Sequence, residues 1–522
     1  MNKAFPRLLM GLVAFACISM QGQTSSGQTN IDMSVPGTTI SRGILGTNFS
    51  TQRPWAPVAD RTFITGVAGG LAADAFDWQT RVGSYDWTTI DVLRNIRDSN
   101  STPVFIVNMR GTGTSNGYDT DADFNYTNTN LAPLVTLASE WVRYTNFILP
   151  SGPQNANDNA ILNKVVEYNG YSSKLLNPGE AAVPKVAYWE IGNEPEVSID
   201  GFYFTNNWWD YTFGGAKSTA EYVNRYKQIT TAMKAVDPTI KVGPGMLDNV
   251  DVTVMPLLND PAATIDFWGY HPYDDIGFDY YPNGTPTQIN TMEGRLRNVR
   301  VKQISRHNDQ RQAFINAGRD PDNVDFMATE WNVLSYAKDI PSMYQALGFA
   351  ESIFTFADLE LKAANYWGAL AYAANDPREN YPMVKLWQKM NTNIGDTLVN
   401  SIIDDANNLR VYTTRDSQTG EIKIWGLNFD NDADTSINLS LSGINAADTA
   451  TLSVLGGTGT KLWTTSEEWT TQTVSNFYAG NFNLSIPSAS IVLLEVSPIP
   501  EPAAVGLLGA GLFGLMVRRP RG

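Results

Sequence analysis

The chain has 522 residues, 43% of them hydrophobic, which is enough apolar side chain for a large core and more than one domain. A formal net charge of −16 argues against nucleic-acid binding, which needs clustered Lys and Arg. One cysteine, Cys17, and two histidines, His271 and His307, exclude a disulfide framework and leave little for a histidine-built metal site or a Ser-His-Asp triad.

Residues 1–23 read as a signal peptide: Lys3 and Arg7, an apolar run from Leu8 to Met20, then polar sequence. Cleavage is expected between Ala16 and Gln23. Lipidation of Cys17 is the alternative, although Ala14 and Phe15 fit the preceding box poorly. "TTISRGILGTNFS" reads as a strand ending near Asn48, and "RTFITGVAGG" as a second. Ile90, Leu93 and Ile96 follow helical spacing until Asp98-Ser99-Asn100 stops them, and Val104–Val107 is a β-branched apolar run. "LVTLASEWVRYTNFI" is a helix and "KVAYWEIGNEP" a strand. "TAEYVNRYKQITTAMKAVDPTIKVGPG" is helix then strand, broken at Asp237-Pro238. "TIDFWGYHPY", "NVDFMATEWNV" and "AANYWGAL" supply three more strands, between helical stretches such as 303–317 and 344–360.

Strands alternating with helices pair in parallel through right-handed crossovers. Eight such units predict an α/β chain with a (β/α)8 TIM barrel over residues 40–390. A doubly wound open sheet is the alternative; it would want a Gly-rich phosphate loop, and "GVAGGLAAD" is not one. From 391 to 497 short alternating segments with turn clusters predict a C-terminal antiparallel β-sandwich, with residues 30–40 as candidates to join it.

Residues 498–522 form a tail. Pro500-Glu501-Pro502 precedes an uncharged stretch from Ala503 to Val517, then Arg518 and Arg519. The stretch is marginal for a membrane span. This pattern resembles the PEP-CTERM sorting tail of Gram-negative bacteria. The resemblance implies export, recognition by an exosortase, transient membrane association, and a periplasmic, cell-surface or extracellular destination.

Active groups of such barrels collect at the C-terminal ends of the strands. Two strands end in carboxylates there: "VAYWEIGNE" in Glu194 and "VDFMATE" in Glu330. Glu190 lies deeper on the first of these and reads as a supporting buried carboxylate; Glu196 follows Pro195 and reads as solvated. Two carboxylates facing one cleft suit glycosidic cleavage, which needs one protonated and one ionised. His271 in "GYHPY" ends the sixth strand with Tyr273 beside it. They are either core residues or the lining of a subsite where the Tyr273 hydroxyl bonds Glu330. Trp367 is a candidate sugar platform, and Asn108 a candidate hydroxyl ligand. Trp208-Trp209 are candidates for the cleft, and Asp119, Asp121 and Asp123 read as a solvated acidic loop.

"YWEIGNEPE", "ATEW", "GGLAADAFDWQTRVG", "FIVNMRGTGT", "ASEWVRYTN" and "SIVLLEV" together resemble retaining glycoside hydrolases of clan A, in particular α-L-arabinofuranosidases and the family holding β-xylosidases. The resemblance spans about residues 43 to 496. It implies Glu194 as acid/base, Glu330 as nucleophile, Asn193 as ligand of the sugar 2-hydroxyl, a polysaccharide or oligosaccharide substrate, and neither cofactor nor metal. The arginine that many clan members place beneath the nucleophile has no clear counterpart; Arg81 and Arg110 are the substitutes. That departure keeps open a non-catalytic glycan-binding matrix protein on a degenerate barrel. A metallo-hydrolase is the third reading, weakened by the shortage of histidines.

Overall fold

The computed structural model describes residues 23–24, 28–48, 63–66, 78–79, 88–107, 109, 131–166, 174–194, 219–247, 254–273, 276, 280–333, 342–368, 380–443, 446–457, 459–475 and 477–498. Eight strands pair in parallel, in order, and close on themselves: β1 (Gly46–Asn48), β2 (Phe63–Gly66), β3 (Thr102–Val107), β4 (Tyr188–Ile191), β5 (Lys241–Leu247), β6 (Phe267–His271), β7 (Asp325–Trp331) and β8 (Ala363–Tyr366). The helices that matter below are α1 (Thr89–Asp98), α2 (Leu131–Arg143), α3 (Thr219–Val236), α4 (Val254–Asn259), α5 (Pro286–Asn316), α6 (Met343–Asp358) and α7 (Pro382–Asn393). No helix among the described residues is long and apolar enough to cross a membrane.

Helix starts follow local chemistry. Thr88 caps α1 reciprocally with Asp91, the box that satisfies two otherwise orphaned N–H groups. Ser342 does the same work for α6 through the Gln345 N–H. Outward-facing aromatics knit sheet to helices: Trp141 of α2 stands edge-on to Trp189 of β4, ring centroids 5.3 Å apart. Trp331 of β7 packs against Phe349 and Phe356 of α6.

The barrel interior is layered, because side chains two apart on a strand share a face. Val104, Tyr188, Phe267, Met327 and Ala363 form one apolar layer. Two residues further along, the same strands carry Ile106, Glu190, Gly269, Thr329 and Asn365. The polarity of the interior thus rises toward the C-terminal mouth.

The segment read as a single first strand is divided. Thr38–Thr39 pairs with Thr397 and Leu398 beyond the barrel, Arg42–Leu45 makes a 3-10 turn, and only Gly46–Asn48 enters the barrel. The Ser41 side chain accepts from the Gly43 N–H and starts that turn.

Beyond the barrel lie β9 (Thr397–Asp404), β10 (Leu409–Arg415), β11 (Ile422–Asn428), β12 (Thr435–Ser442), β13 (Ala446–Leu455), β14 (Trp469–Ser475), β15 (Phe482–Ile486) and β16 (Ser490–Pro498). One sheet runs β14-β13-β16-β11-β10-β9 and ends on Thr38–Thr39. The other holds β12 and β15. The described pairs between these strands are antiparallel, as expected, and β12 pairs in addition in parallel with Gln23–Thr24 and Thr29–Asp32. The N-terminal segment arrives from outside the hairpin order, so its direction is not dictated by a tight turn. Ile31, Val411, Ile424, Leu439, Leu484 and Val492 meet in one apolar cluster drawn from both sheets.

A buried ionic network joins α6 to β10. Glu351 accepts from Arg410 Nε at 3.0 Å and from the Tyr412 hydroxyl at 2.6 Å, and all three residues are 1% exposed or less. Burial pushes the Glu351 carboxyl up, against the nearby guanidinium and the Tyr412 hydroxyl.

His307 of α5 is buried against Phe326, and its Nδ1 has no hydrogen-bond partner among the described residues. Burial, and then the charge of Arg311, lower its pKa from 6.5 to about 4. The unfolded chain therefore takes up this proton first. The stability it contributes is full above about pH 6.5 and is lost as the pH falls toward 4. Lowering the pH from 7 to 4.5 should cost about 2 to 3 kcal/mol through this one group. His307→Phe should recover most of that loss in urea midpoints measured at the two pH values. Equal acid sensitivity of the two proteins would contradict the assignment.

Candidate active site

Four strand ends converge. At the end of β4, Gly192 takes φ +79° and Glu194 φ +45°. An added Cβ at Gly192 would sit 2.7 Å from the Met109 sulfur, so both the left-handed backbone and the close packing call for glycine. A glutamate in the left-handed region is strained, and such strain collects at functional positions. The Glu194 N–H donates to the Gly245 carbonyl at 2.8 Å, which fixes the turn.

Alternation along β6 sends Phe267, Gly269 and His271 inward, and His271 is fully buried at the strand's end. On β7 the inward series is Met327 and Thr329, so strict alternation would turn Glu330 outward. The pairing with β8 shifts register between Ala328 and Trp331. Such an irregularity re-aims a side chain, and Glu330 reaches the residues of the mouth while Trp331 packs outward on α6.

The resulting contacts are short. His271 Nδ1 lies 2.8 Å from Glu194 Oε1 and 3.6 Å from Glu330 Oε2. Its Nε2 lies 3.3 Å from Glu190 Oε1. The Tyr273 hydroxyl donates to Glu330 Oε2 at 3.1 Å. One oxygen each of Glu194 and Glu330, with a nitrogen of His271, lie within 4.8 Å of one another. The Glu194 side chain is 18% exposed and that of Glu330 is 3% exposed, so one carboxylate faces outward and the other is sequestered.

The electrostatics follow from this crowding. Burial alone would pull the His271 pKa down. The charge of Glu330 and the hydrogen bonds to Glu190 and Glu194 outweigh it and hold the imidazole well above its ordinary range. Burial, followed by the charges of Glu330 and Glu194, pushes the Tyr273 hydroxyl well above its usual value, so it remains a donor.

Asn193 lies buried between Gly192 and Glu194. Trp367 follows β8 and is half-buried. Its N–H donates to the Trp331 carbonyl at 2.7 Å, and its own carbonyl accepts from Asn332 at 2.9 Å. That ties the loop after β8 to the end of β7. Asn108, Arg81, Arg110, Glu196, Trp208-Trp209 and the acidic loop at 119–123 lie outside the described residues, as do residues 1–22 and 499–522 of the terminal segments.

Three supports escaped the reading of the sequence. Arg306 of α5 donates to the Tyr273 carbonyl at 2.9 Å. Asn332 bridges to Tyr273 just beyond β7. Gly245 leaves the space in which Glu190 stands, since its added Cβ would come 1.7 Å from Glu190 Oε1. Only "KVGPG", with its two glycines in a strand, carried a signal for the last of these.

Glu194, His271 and Glu330 are also the one group of potential metal ligands among the described residues. Their donors are already engaged. Both imidazole nitrogens face carboxylates, and an ion would have to displace the 2.8 Å contact with Glu194. The chemistry this set offers is proton transfer beside a sequestered carboxylate.

No protein-family model matches the sequence, and no curated protein matches it either. Solved structures do match in fold. A bifunctional glucanase-xylanase from a metagenome library aligns with a TM-score of 0.63 at 13% identity, over 90% of this chain and 99% of that one. The α-L-arabinofuranosidase of Thermotoga maritima aligns at 0.60 and 16%, over 90% and 99%. A Paenibacillus polymyxa xyloglucanase of glycoside hydrolase family 44 aligns at 0.62 and 12%, over 90% and 99%. The chain therefore shares its fold with solved glycoside hydrolases.

Proposed function

We propose that this chain is a retaining glycoside hydrolase acting on a polysaccharide or oligosaccharide. The observation that carries the reading is the pairing of Glu194 with Glu330, oxygens within 4.8 Å, at the mouth of a closed barrel. Carboxyl groups about 5 to 5.5 Å apart leave no room for a water between them and the sugar, which favours double displacement over inversion. Glu330 attacks the anomeric carbon, and the Tyr273 hydroxyl stabilises it as an anion. Glu194, more exposed and beside the His271 ring, protonates the departing oxygen and then deprotonates the incoming water. Asn193, Asn108 and Trp367 bind sugar in this reading. The fold likeness to an arabinofuranosidase, a xyloglucanase and a glucanase-xylanase supports a glycan substrate. In the same reading residues 40–390 are the catalytic domain, 391–497 a β-sandwich, and the two termini an export signal and a sorting tail.

A panel of aryl glycosides and plant and bacterial polysaccharides, with the product anomer followed by proton NMR, tests the reading. It predicts cleavage with retained configuration; inversion, or no cleavage across the panel, contradicts it. Tyr273→Phe removes one hydrogen bond to a charged carboxylate, worth about 1.5 to 3 kcal/mol, and should lower kcat roughly 10- to 150-fold with little change in KM. Unchanged kcat would remove Tyr273 from the mechanism.

A further inference from the structure

Beneath the two mouth carboxylates lies a third that the mechanism above leaves unused. We propose that Glu190 is a positioning residue acting through His271: it engages Nε2 so that the Nδ1–H stays aimed at Glu194. This rests on the reading of Glu194 as the acid/base.

Three observations carry it. Glu190 is fully buried, and His271 is its one hydrogen-bond partner among the described residues; its Oε2 has none. A buried carboxylate with so little support is costly, and the fold makes room for it nonetheless. That room comes from Gly245, where any β-carbon would collide with Oε1. Finally, both nitrogens of His271 face carboxylate oxygens. A neutral imidazole carries one hydrogen and an ionised carboxylate carries none, so filling both contacts takes two protons on three groups. The ring is then an imidazolium, or one carboxyl holds the second proton.

Among the described residues, the charged groups acting on the ring are Glu190 from β4, Glu194 from the turn after it and Glu330 from β7, and Tyr273 beyond β6 donates to Glu330. Tyr366 of β8 acts on Tyr273. Of these, only Glu190 meets the ring from below. Removing its charge makes it easier for the ring to lose its proton.

The test uses the full chain with nitrogen-15-labelled histidine. There are two histidines, so His307→Phe assigns the pair. In the otherwise unaltered protein the His271 signals should show a ring that stays protonated above the ordinary histidine range. In Glu190→Gln the ring should titrate about one pH unit or more lower. The alkaline limb of kcat/KM should move down by about the same amount, with KM little changed. Glu190→Asp, which keeps the charge, should recover part of the shift. If Glu190→Gln does not fold, Gly245→Ala displaces the same carboxylate and carries the same expectation. Identical His271 titration in parent and variant overturns the proposal, as does a fall in kcat with an unmoved pH limb. Absence of glycoside cleavage by the parent protein would sink the glycosidase reading instead, and the NMR comparison would still decide the Glu190–His271 coupling.

Discussion

Glu330→Ala is expected to lower kcat by roughly three to six orders of magnitude on every substrate, because no other group described at the mouth can replace an attacking carboxylate. Glu194→Ala should behave differently. General acid catalysis contributes about 10²- to 10⁴-fold, and only where the leaving oxygen needs a proton. With a nitrophenyl leaving group the first step should survive in Glu194→Ala. Deglycosylation, which needs the base, should become limiting and release a burst of phenol. With an alkyl or sugar leaving group the full loss should appear. Stopped-flow absorbance on the two substrate types measures the contrast. The same leaving-group dependence in both variants would dismiss the division of labour. The contacts behind this prediction are the Tyr273–Glu330 hydrogen bond and the Glu194–His271 contact, each made by residues of different strand ends.

The second large effect lies far from the chemistry. In the seam between α6 and β10, Glu351→Ala should destabilise the protein by about 3 kcal/mol, because it takes the buried partner from Arg410, itself 1% exposed, and the acceptor from the Tyr412 hydroxyl, leaving the guanidinium, among the described residues, only the exposed Asp405 and main-chain carbonyls. Glu351→Leu combined with Arg410→Leu should recover much of that loss, since two apolar side chains leave no buried charge. Urea midpoints followed by tryptophan fluorescence report both, with Trp425 and Phe354 packed beside the same seam. A single-variant loss under about 1 kcal/mol would show that the pair is not holding barrel to sheet.

The barrel was legible because its strands are buried on both faces and helices such as α1 on one. "VFIV", "YWEI" and "FWGY" are near-continuous apolar runs, while α1 shows clean helical spacing. The ends of β4 and β7 were legible for another reason: carboxylates closing an apolar run have no place in a core unless something uses them. Tyr273 was readable as a neighbour of Glu330 from adjacent strand ends alone, and its hydroxyl lies 3.1 Å away.

What the sequence hid was geometry at the level of single residues. Alternation by itself aims Glu330 away from the mouth, and no residue type announces the register shift after Ala328. Nor does anything local mark Arg306, in the middle of a 31-residue helix, as the support of the Tyr273 carbonyl. The segment from Thr38 to Asn48 alternates well enough to pass for one strand, yet two sheets divide it. Parallel pairing of Thr29–Asp32 with β12 depends on chain ends more than 400 residues apart, beyond the reach of any local pattern.

The account stands on Glu330 forming a bond to sugar. The most direct measurement uses the 2-fluoro analogue of whichever aryl glycoside the protein is found to cleave. Fluorine at C2 slows both steps by destabilising the oxocarbenium-like transition states, and a good leaving group restores the first, so a glycosyl-enzyme accumulates. Peptide mass spectrometry should find one added glycosyl unit on the peptide containing "FMATEW", esterified at Glu330. Attachment at any other residue would contradict the account, as would steady turnover with no adduct and an inverted product.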